Sequence, residues 1–192
     1  QAIALDAGDR LLLGAPSAGL RSYVAVRGGW QVAPVLGSCA TDTLAQIGPP
    51  PLTAGQRLRV GQALSTHALQ AVELAALQPL ALPRSGDTVH LDVVLGPRTD
   101  WFAPQAVDLL QLQVWQVTPR SDRIGMRLQG ELPLPRSRTD ELPSEGTVVG
   151  AIQVPANGQP VLFLADRPLT GGYPVIGAVA SHHLDLLAQI PV

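Results

Sequence analysis

The Asn157-Gly158 pair is the feature that most limits how this chain can fold. It separates two segments rich in Val, Ile, Leu and Phe, Thr147 to Pro155 and Pro160 to Asp166. Asn followed by Gly readily adopts the positive φ values of a tight hairpin turn. The chain is therefore predicted to form two antiparallel strands here, followed by a polar loop that ends at Pro174.

Glycine and proline divide the rest of the chain into short segments. The 192 residues include 19 Gly and 18 Pro, which favours an all-β barrel or sandwich with few helices. In residues 88–95, apolar and polar side chains alternate as they do in a half-buried strand. A short helix is predicted over residues 104–110, with Asp100 as its cap. A second short helix is predicted after Ser181, which would be its cap. The Ala- and Leu-rich residues 63–80 are predicted to form a partly helical connector.

The charge pattern limits the classes of partner. The net charge is −2, and neither a basic stripe nor a block of charge is present, so nucleic acid and anionic membranes are not expected as partners. Small molecules and proteins are the expected partners. All 13 basic residues are arginine, which excludes a P-loop lysine or a Schiff-base lysine.

The cysteine content suggests a compartment. Cys39 is the single cysteine, which excludes an intramolecular disulfide and a cysteine-rich zinc site. The chain is thus compatible with a reducing cytosol, and a cytoplasmic location is expected. It contains no apolar run long enough to cross a membrane.

Residues 123–128 offer a candidate anion clamp. In a strand, Arg123, Gly125 and Arg127 would share one face, and the glycine would leave room for a ligand. Two guanidinium groups suit a carboxylate or a phosphoryl group. The alternative is an outer face with two solvated arginines.

Further polar residues lie in and around the predicted hairpin. Glu145 precedes a strand and would polarise a substrate amide, or act as a base if its surroundings raised its pKa; the alternative is a turn carboxylate in water. Gln153 lies in an apolar strand, where its amide either lines a pocket or braces a loop backbone. Asp166 and Arg167 are predicted to form a local ion pair. The loop Thr170-Gly171-Gly172-Tyr173 offers backbone N–H groups to an anion or oxyanion.

The first half and the C-terminal end give weaker signals. Ser38 and Asp42 either contribute to a site or close a loop through side-chain to backbone bonds. The pair His182-His183 lacks the HExxH spacing of a zinc motif and the acidic ligands that go with it, so no metal site is predicted.

Six strings carry a resemblance to a known family. They are RSYVAVRGGW (21–30), GSCATD (37–42), DWF (100–102), SDRIGMRL (121–128), SEGTVVGAIQVP (144–155) and ADRPLTGGYPVIG (165–177). In this order the chain resembles the C subunit family of bacterial 5-oxoprolinase, also labelled allophanate hydrolase subunit 2 and related to the carboxyltransferase region of urea amidolyase. The resemblance extends from Gln1 to Gln189. Leu169 departs from it, since the family more often has threonine there.

The resemblance implies a fold and an activity. It implies cyclophilin-like β-barrels: the end of a first barrel in residues 1–80 and most of a second in residues 85–192. It also implies a subunit of ATP-dependent 5-oxoprolinase, which converts 5-oxo-L-proline to L-glutamate, with Mg at the level of the complex and with a B-like subunit and an A subunit as partners. One alternative is a biotin-dependent carboxyltransferase or allophanate hydrolase-type subunit acting on urea-like amides. Another is a non-catalytic regulator that binds the B-like subunit and relieves inhibition of a kinase.

The residues assigned to the site under this resemblance fall into three groups. The catalytic group is Arg123, Arg127, Glu145 and Gln153. The substrate- and anion-binding group is Ser121, Asp166, Thr170, Gly171, Gly172 and Tyr173. Contributors from the first domain are Arg21, Tyr23, Ser38 and Asp42.

Overall fold

The computed structural model of the protein describes residues 3–62 and 81–192. The chain divides into two compact units: unit 1 comprises residues 1–15 and 22–81, and unit 2 comprises residues 16–21 and 82–192. The predicted connector at residues 63–80 lies outside the described residues. The assignment of the two predicted domains to barrels remains a prediction.

Unit 1 is held by isolated bridges in its described part. Trp30 pairs with Val60, Val35 with Ser38 and Asp42 with Ile47, all antiparallel. Residues 3–15 and 22–62 contain no buried residue. Large apolar side chains such as Leu12 and Leu36 are about nine-tenths exposed, at 90% and 92%.

Unit 2 is built on an antiparallel sheet. Its eight strands are β1 (Val93–Leu95), β2 (Gln116–Val117), β3 (Gly125–Gln129), β4 (Glu145–Gly146), β5 (Ala151–Gln153), β6 (Val161–Phe163), β7 (Thr170–Gly171) and β8 (Val175–Val179). Six form one sheet in the order β1-β8-β5-β6-β3-β2, and β4 and β7 form a separate pair. The β-rich class is confirmed, whereas the described ladders form open sheets and do not close into a barrel.

Four short helical segments accompany the sheet. They are a 3-10 turn Thr99–Trp101, α1 (Pro104–Leu112), a 3-10 turn Ser181–His183 and α2 (Leu184–Leu187). The helix predicted over residues 104–110 is confirmed. Both predicted caps are wrong: α1 begins at Pro104 after Ala103, and neither α1 nor the turn at Ser181 has a side-chain cap bond. Proline suits this first position because its missing N–H would have no helical partner. No helix in the described part is long and apolar enough to cross a membrane.

The hairpin predicted around Asn157-Gly158 is confirmed. Strands β5 and β6 are antiparallel, with Ile152 opposite Leu162 and Gln153 opposite Val161. Gly158 has φ +71°, and its N–H donates to the Pro155 carbonyl at 2.9 Å. A Cβ at Gly158 would lie 2.6 Å from the Pro133 Cβ, so the turn also requires glycine for space.

The core of unit 2 lies between the sheet and the segment containing α1. Trp101, Phe102 and Ala106 pack with apolar residues of β3, β5, β6 and β8, and with Leu187 of α2. Burial of these side chains is the main favourable term in folding. The predicted strand at residues 88–95 is shorter than expected, because only β1 forms, and its three residues are exposed at one edge of the sheet.

Candidate functional site

The strand pair β4–β7 brings two predicted site segments together. Glu145 lies opposite Gly171, and Gly146 lies opposite Thr170. The Thr147 N–H extends the ladder by donating to the Leu169 carbonyl at 2.9 Å. The glycine loop therefore starts beside Glu145, although the two are far apart in sequence.

Gln153 braces this loop from the main sheet. Its side chain is buried, at the point where the register between β5 and β8 shifts, and its Nε2 donates to the Tyr173 carbonyl at 3.2 Å. A Cβ at Gly171 would lie 2.5 Å from the same nitrogen. Of the two interpretations that the sequence left open, the structure shows the brace. One N–H of the amide is thereby engaged by the backbone of the loop, which it holds in position.

An arginine not assigned from the sequence holds Glu145. Arg98 Nε donates to Glu145 Oε2 at 3.0 Å, and Arg98 Nη2 donates to Oε1. Both side chains are 35% exposed. The hydrogen bond from Arg98 is the main cause that lowers the pKa of Glu145, and the pKa of Arg98 is raised in return. The raised pKa under which Glu145 was expected to act as a base is therefore not found, and its carboxylate is an ionised acceptor at neutral pH. Its part in a site stays a prediction.

The anion clamp predicted in residues 123–128 is only partly placed on a strand. Strand β3 begins at Gly125, so Arg123 precedes it. Arg123 Nε donates to Asp166 Oδ2 at 2.6 Å, and the Asp166 N–H donates to the Arg123 carbonyl at 3.2 Å. The predicted Asp166–Arg167 ion pair is not formed, because Arg167 Nε instead donates to the Thr147 carbonyl at 3.3 Å.

Of Arg123 and Arg127, Arg127 is the one whose guanidinium is available to bind an anion. It is exposed on β3, and its backbone N–H donates to Ser121 Oγ at 3.0 Å. Its guanidinium has no hydrogen-bond or ion-pair partner among residues 3–62 and 81–192. A guanidinium without a carboxylate partner can bind an incoming anion without first losing an ion pair.

The remaining predicted contributors make local contacts. Arg21 belongs to unit 2, where its Nη1 donates to the Ala188 carbonyl. In unit 1, Tyr23 is exposed, Ser38 Oγ accepts from the Ala40 N–H at 3.1 Å, and Asp42 Oδ1 accepts from the N–H groups of residues 44 and 45. The loop-closing interpretation of Ser38 and Asp42 thus describes the bonds that they make. Their part in a site stays a prediction.

A cationic aromatic face lies in unit 2 around Trp101. The guanidinium carbons of Arg138 and Arg136 lie 4.3 and 5.7 Å from the Trp101 ring centroid. Arg138 Nη2 also donates to Asp140 at 2.7 Å, which lowers the pKa of Asp140. The string DWF marked this region from sequence, but no sequence signal indicated that two arginines well beyond it in the chain would stack on its tryptophan.

Two open hollows lie in unit 1. One of about 500 Å³ is lined by Gln31, Arg59, Val60 and Gln62, and one of about 360 Å³ includes Thr41, Asp42 and prolines 50 and 51. Neither contains an ion pair among its described residues. The chemically distinctive groups lie instead in unit 2, so the candidate site is placed there.

The candidate site in unit 2 is suited to anions and amides. Its candidate groups are the Arg127 guanidinium, which has no hydrogen-bond or ion-pair partner among the described residues, the ionised Glu145, and the glycine loop that Gln153 braces. That these groups act together stays a prediction. Its two carboxylates, Glu145 and Asp166, are each bound to an arginine. Such a donor set favours a substrate with acidic or phosphoryl groups over a directly bound metal ion.

Comparisons with known proteins agree on one family. The family described as carboxyltransferase domain, subdomain A and B, matches residues 1–192. The chain is 37% identical to the C subunit of 5-oxoprolinase from Escherichia coli K12 over 98% of this chain and 58% of that protein. It is 29% identical to urea amidolyase of Lachancea kluyveri over 98% of this chain and 11% of that protein. The chain thus spans a little over half the length of the 5-oxoprolinase proteins that it matches.

A solved structure supports the fold. The crystal structure of urea carboxylase from Kluyveromyces lactis superimposes with a TM-score of 0.71 at 23% identity, over 91% of this chain and 17% of that one. At this identity the likeness concerns the fold alone.

Proposed function

Because the chain belongs to the carboxyltransferase domain family, subdomains A and B, we propose that it is part of the C subunit of an ATP-dependent 5-oxoprolinase. The observation that carries the proposal is the 37% identity to the Escherichia coli C subunit of 5-oxoprolinase over 98% of this chain. The corresponding protein from Haemophilus influenzae is 33% identical over 96% of the chain. In this proposal the complete protein contains cyclophilin-like barrels, of which unit 2 contributes sheet strands.

The proposed reaction activates an unreactive lactam. The lactam oxygen of 5-oxoproline attacks the γ-phosphorus of ATP and displaces ADP, which makes the ring carbon electrophilic. Water adds to that carbon, the C–N bond breaks to give the free amine, and a second water releases phosphate from the resulting acyl phosphate. The products are glutamate, ADP and phosphate. Groups that stabilise negative charge on the phosphoryl oxygens accelerate such a transfer.

Each residue of the candidate site has a proposed part. Arg127 binds an anionic group, either the substrate carboxylate or a phosphate of ATP, and Arg123 supports it from the neighbouring ion pair. Glu145, kept ionised by Arg98, accepts a hydrogen bond from the lactam N–H. The glycine loop supplies backbone N–H donors, and Gln153 fixes its position. Magnesium would enter with ATP and the partner proteins.

The activity is proposed to require other chains. The relatives are named as subunits, so we infer that this chain acts with a B-like subunit and an A subunit in one complex. The exposed apolar side chains of unit 1 support a role in assembly, since large apolar groups in water favour association.

A second candidate is carboxyl transfer to a urea-like amide. It is supported by the similarity to urea amidolyase, at 29% identity over 98% of this chain. That identity is lower than the identity to the 5-oxoprolinase relatives, and the reaction would need a biotin carrier from another domain or chain. We therefore place it second.

The discriminating experiment is reconstitution with partners. The full-length protein is co-purified with its B-like and A subunits, and release of phosphate and glutamate is measured with 5-oxoproline and with urea. Release that depends on 5-oxoproline is the expected result. Turnover of urea that depends on a biotin carrier would replace the proposal with the second candidate. A stable complex that is silent on both substrates would support the regulatory role.

A further inference from the structure

A cluster of one carboxylate and two imidazoles lies at the edge of the unit 2 sheet. Asp92 immediately precedes β1, and its carbonyl accepts from the Ala180 N–H at 2.8 Å, which extends the β1–β8 ladder by one residue. The chain then turns, since the His183 N–H donates to the Ala180 carbonyl at 2.9 Å. Backbone hydrogen bonds therefore fix Asp92 beside His182 and His183.

The ligand atoms of the three side chains converge. His182 Nε2 lies 2.9 Å from Asp92 Oδ2, and His183 Nδ1 lies 3.9 Å from the same oxygen. One ligand atom from each residue lies within 4.8 Å of the others. Around a tetrahedral zinc ion with bonds of about 2.0–2.1 Å, neighbouring ligand atoms are about 3.3 Å apart. The observed distances bracket that value, so small side-chain rotations would complete the geometry.

We propose that Asp92, His182 and His183 bind a divalent first-row transition-metal ion, of which Zn²⁺ is the representative. The proposal is independent of the activity proposed above. Two imidazoles and one carboxylate are a donor set that favours Zn²⁺, Ni²⁺ or Cu²⁺ over Mg²⁺ or Ca²⁺, which prefer oxygen ligands. The prediction of no metal site at the histidine pair relied on sequence neighbours alone, whereas Asp92 is 90 positions from His182 in the chain but adjacent to it in space.

The ion would be readily exchanged. Asp92 and His182 are well exposed, with side chains 71% and 62% accessible, so water completes the coordination shell. His183 Nδ1 accepts a hydrogen bond from the Asp92 N–H at 2.9 Å, and this bond must be given up if that nitrogen binds the metal. Such a site binds the ion reversibly and joins the start of β1 to the turn that follows β8.

The test measures metal binding directly. The full-length protein, purified without a histidine tag, is titrated with Zn²⁺ by calorimetry, and its thermal unfolding is followed with and without the ion. We expect a single Zn²⁺ per chain and a rise in the unfolding temperature, because an ion that binds only the folded state stabilises it. Asp92→Asn and His182→Ala should each weaken binding by about 10- to 100-fold or more, the range found even for changes outside the first coordination sphere. His183 is left intact, since its ring also bonds the backbone.

His90→Ala provides the matched control. His90 lies on the same segment as Asp92 and is exposed, but it is not one of the three clustered residues. The His90→Ala variant should bind Zn²⁺ as tightly as the unaltered protein does. Cu²⁺ in the site should give an electron paramagnetic resonance spectrum with coupling to two imidazole nitrogens, reduced to one by His182→Ala. Binding that is absent from the unaltered protein, or equal in all variants, would overturn the proposal.

Discussion

At the residue scale, the chemistry of the candidate site depends on which arginines already have partners. Arg98 and Arg123 are bound to carboxylates, whereas the Arg127 guanidinium makes no hydrogen bond or ion pair among the described residues. The sequence indicated Arg123, Arg127 and Glu145 by residue type and alternation. It contained no signal for Arg98, because the contact of Arg98 with Glu145 spans 47 positions and joins the segment after β1 to strand β4.

Replacing Arg127 should test the proposed anion site. In the reconstituted complex, Arg127→Ala should lower kcat/KM for 5-oxoproline by about 10- to 100-fold, the loss of one charge-assisted hydrogen bond. Arg120→Ala, in the turn that precedes β3, is the control and should retain activity. Equal activity of the two variants would remove Arg127 from the site.

Replacing Arg98 should change the titration of Glu145. Since Arg98 lowers the pKa of Glu145, the ion pair contributes stability that is fully present above the ordinary pKa of a glutamate and is lost as pH falls through the lowered pKa. Arg98→Ala should raise the pKa of Glu145 towards its ordinary value, as measured by NMR titration of the side-chain carboxyl carbon. Arg138→Ala should instead raise the pKa of Asp140 and leave Glu145 unchanged. A Glu145 titration unaltered by Arg98→Ala would contradict the ion pair.

Two glycines of the β4–β7 pair should respond differently to alanine. A Cβ at Gly171 would meet the Gln153 amide at 2.5 Å, whereas a Cβ at Gly146 would meet nothing within 4 Å. Gly171→Ala should displace the amide from the Tyr173 carbonyl and lower the free energy of unfolding by about 1–3 kcal/mol, the cost of a buried polar group that loses its partner. Gly146→Ala should change it by less than about 0.5 kcal/mol. Urea unfolding of both variants is the measurement, and similar values would argue against the brace.

At the scale of elements, local sequence signals correctly predicted those elements whose structure depends on neighbouring residues. The Asn157-Gly158 turn and the helix beginning at Pro104 were both predicted, because turn geometry and helix starts depend on neighbouring residues. Residues 88–95 show the opposite case. Their alternation predicted a half-buried strand, but β1 lies at the sheet edge, so only part of the segment has a partner strand. Position in a sheet is a property of the whole fold and leaves no trace in a short pattern.

The hairpin turn should be sensitive to substitution at Gly158. Gly158→Ala combines a φ of +71° with contacts of 2.6 Å to Pro133 Cβ and 3.0 Å to the Leu134 backbone. We expect a loss of about 2–4 kcal/mol in the free energy of unfolding, from backbone strain and overpacking together. Gly86→Ala, at φ +91° with nothing within 4 Å, should cost only about 1–2 kcal/mol. If both variants lose the same amount, packing against Pro133 has no part in the turn.

At the scale of the whole molecule, order in the described chain is concentrated in unit 2. The family was predicted from the six strings, and the β-rich class from the glycine and proline content; both are confirmed. The open form of the described sheet was not predicted. The resemblance implied closed β-barrels, and a barrel closes only in a complete domain. The pairing of β1 with β8 likewise could not be read from either segment alone.

Amide hydrogen exchange of the 192-residue chain should show that the ordered structure lies mainly in unit 2. Amides of β3, β5, β6 and β8 in the core of unit 2 should exchange slowly, because they open only when the sheet opens. Amides in residues 3–15 and 22–62 should exchange quickly, since these segments have isolated bridges and no buried residue. Slow exchange across residues 22–62 in the isolated chain would contradict this distribution.

The pairing of the first strand of the main sheet with the last has a consequence for synthesis. Val93 pairs with Val179, so the β1–β8 ladder cannot form until residue 179 has left the ribosome. Until then, the apolar side chains of β1 have no partner strand, and neighbouring nascent chains compete for them. Closing so long a loop also slows folding, because the entropy of closure is lost before the contacts form. The yield of folded protein should therefore depend on translation rate and on chaperones more strongly than its final stability suggests.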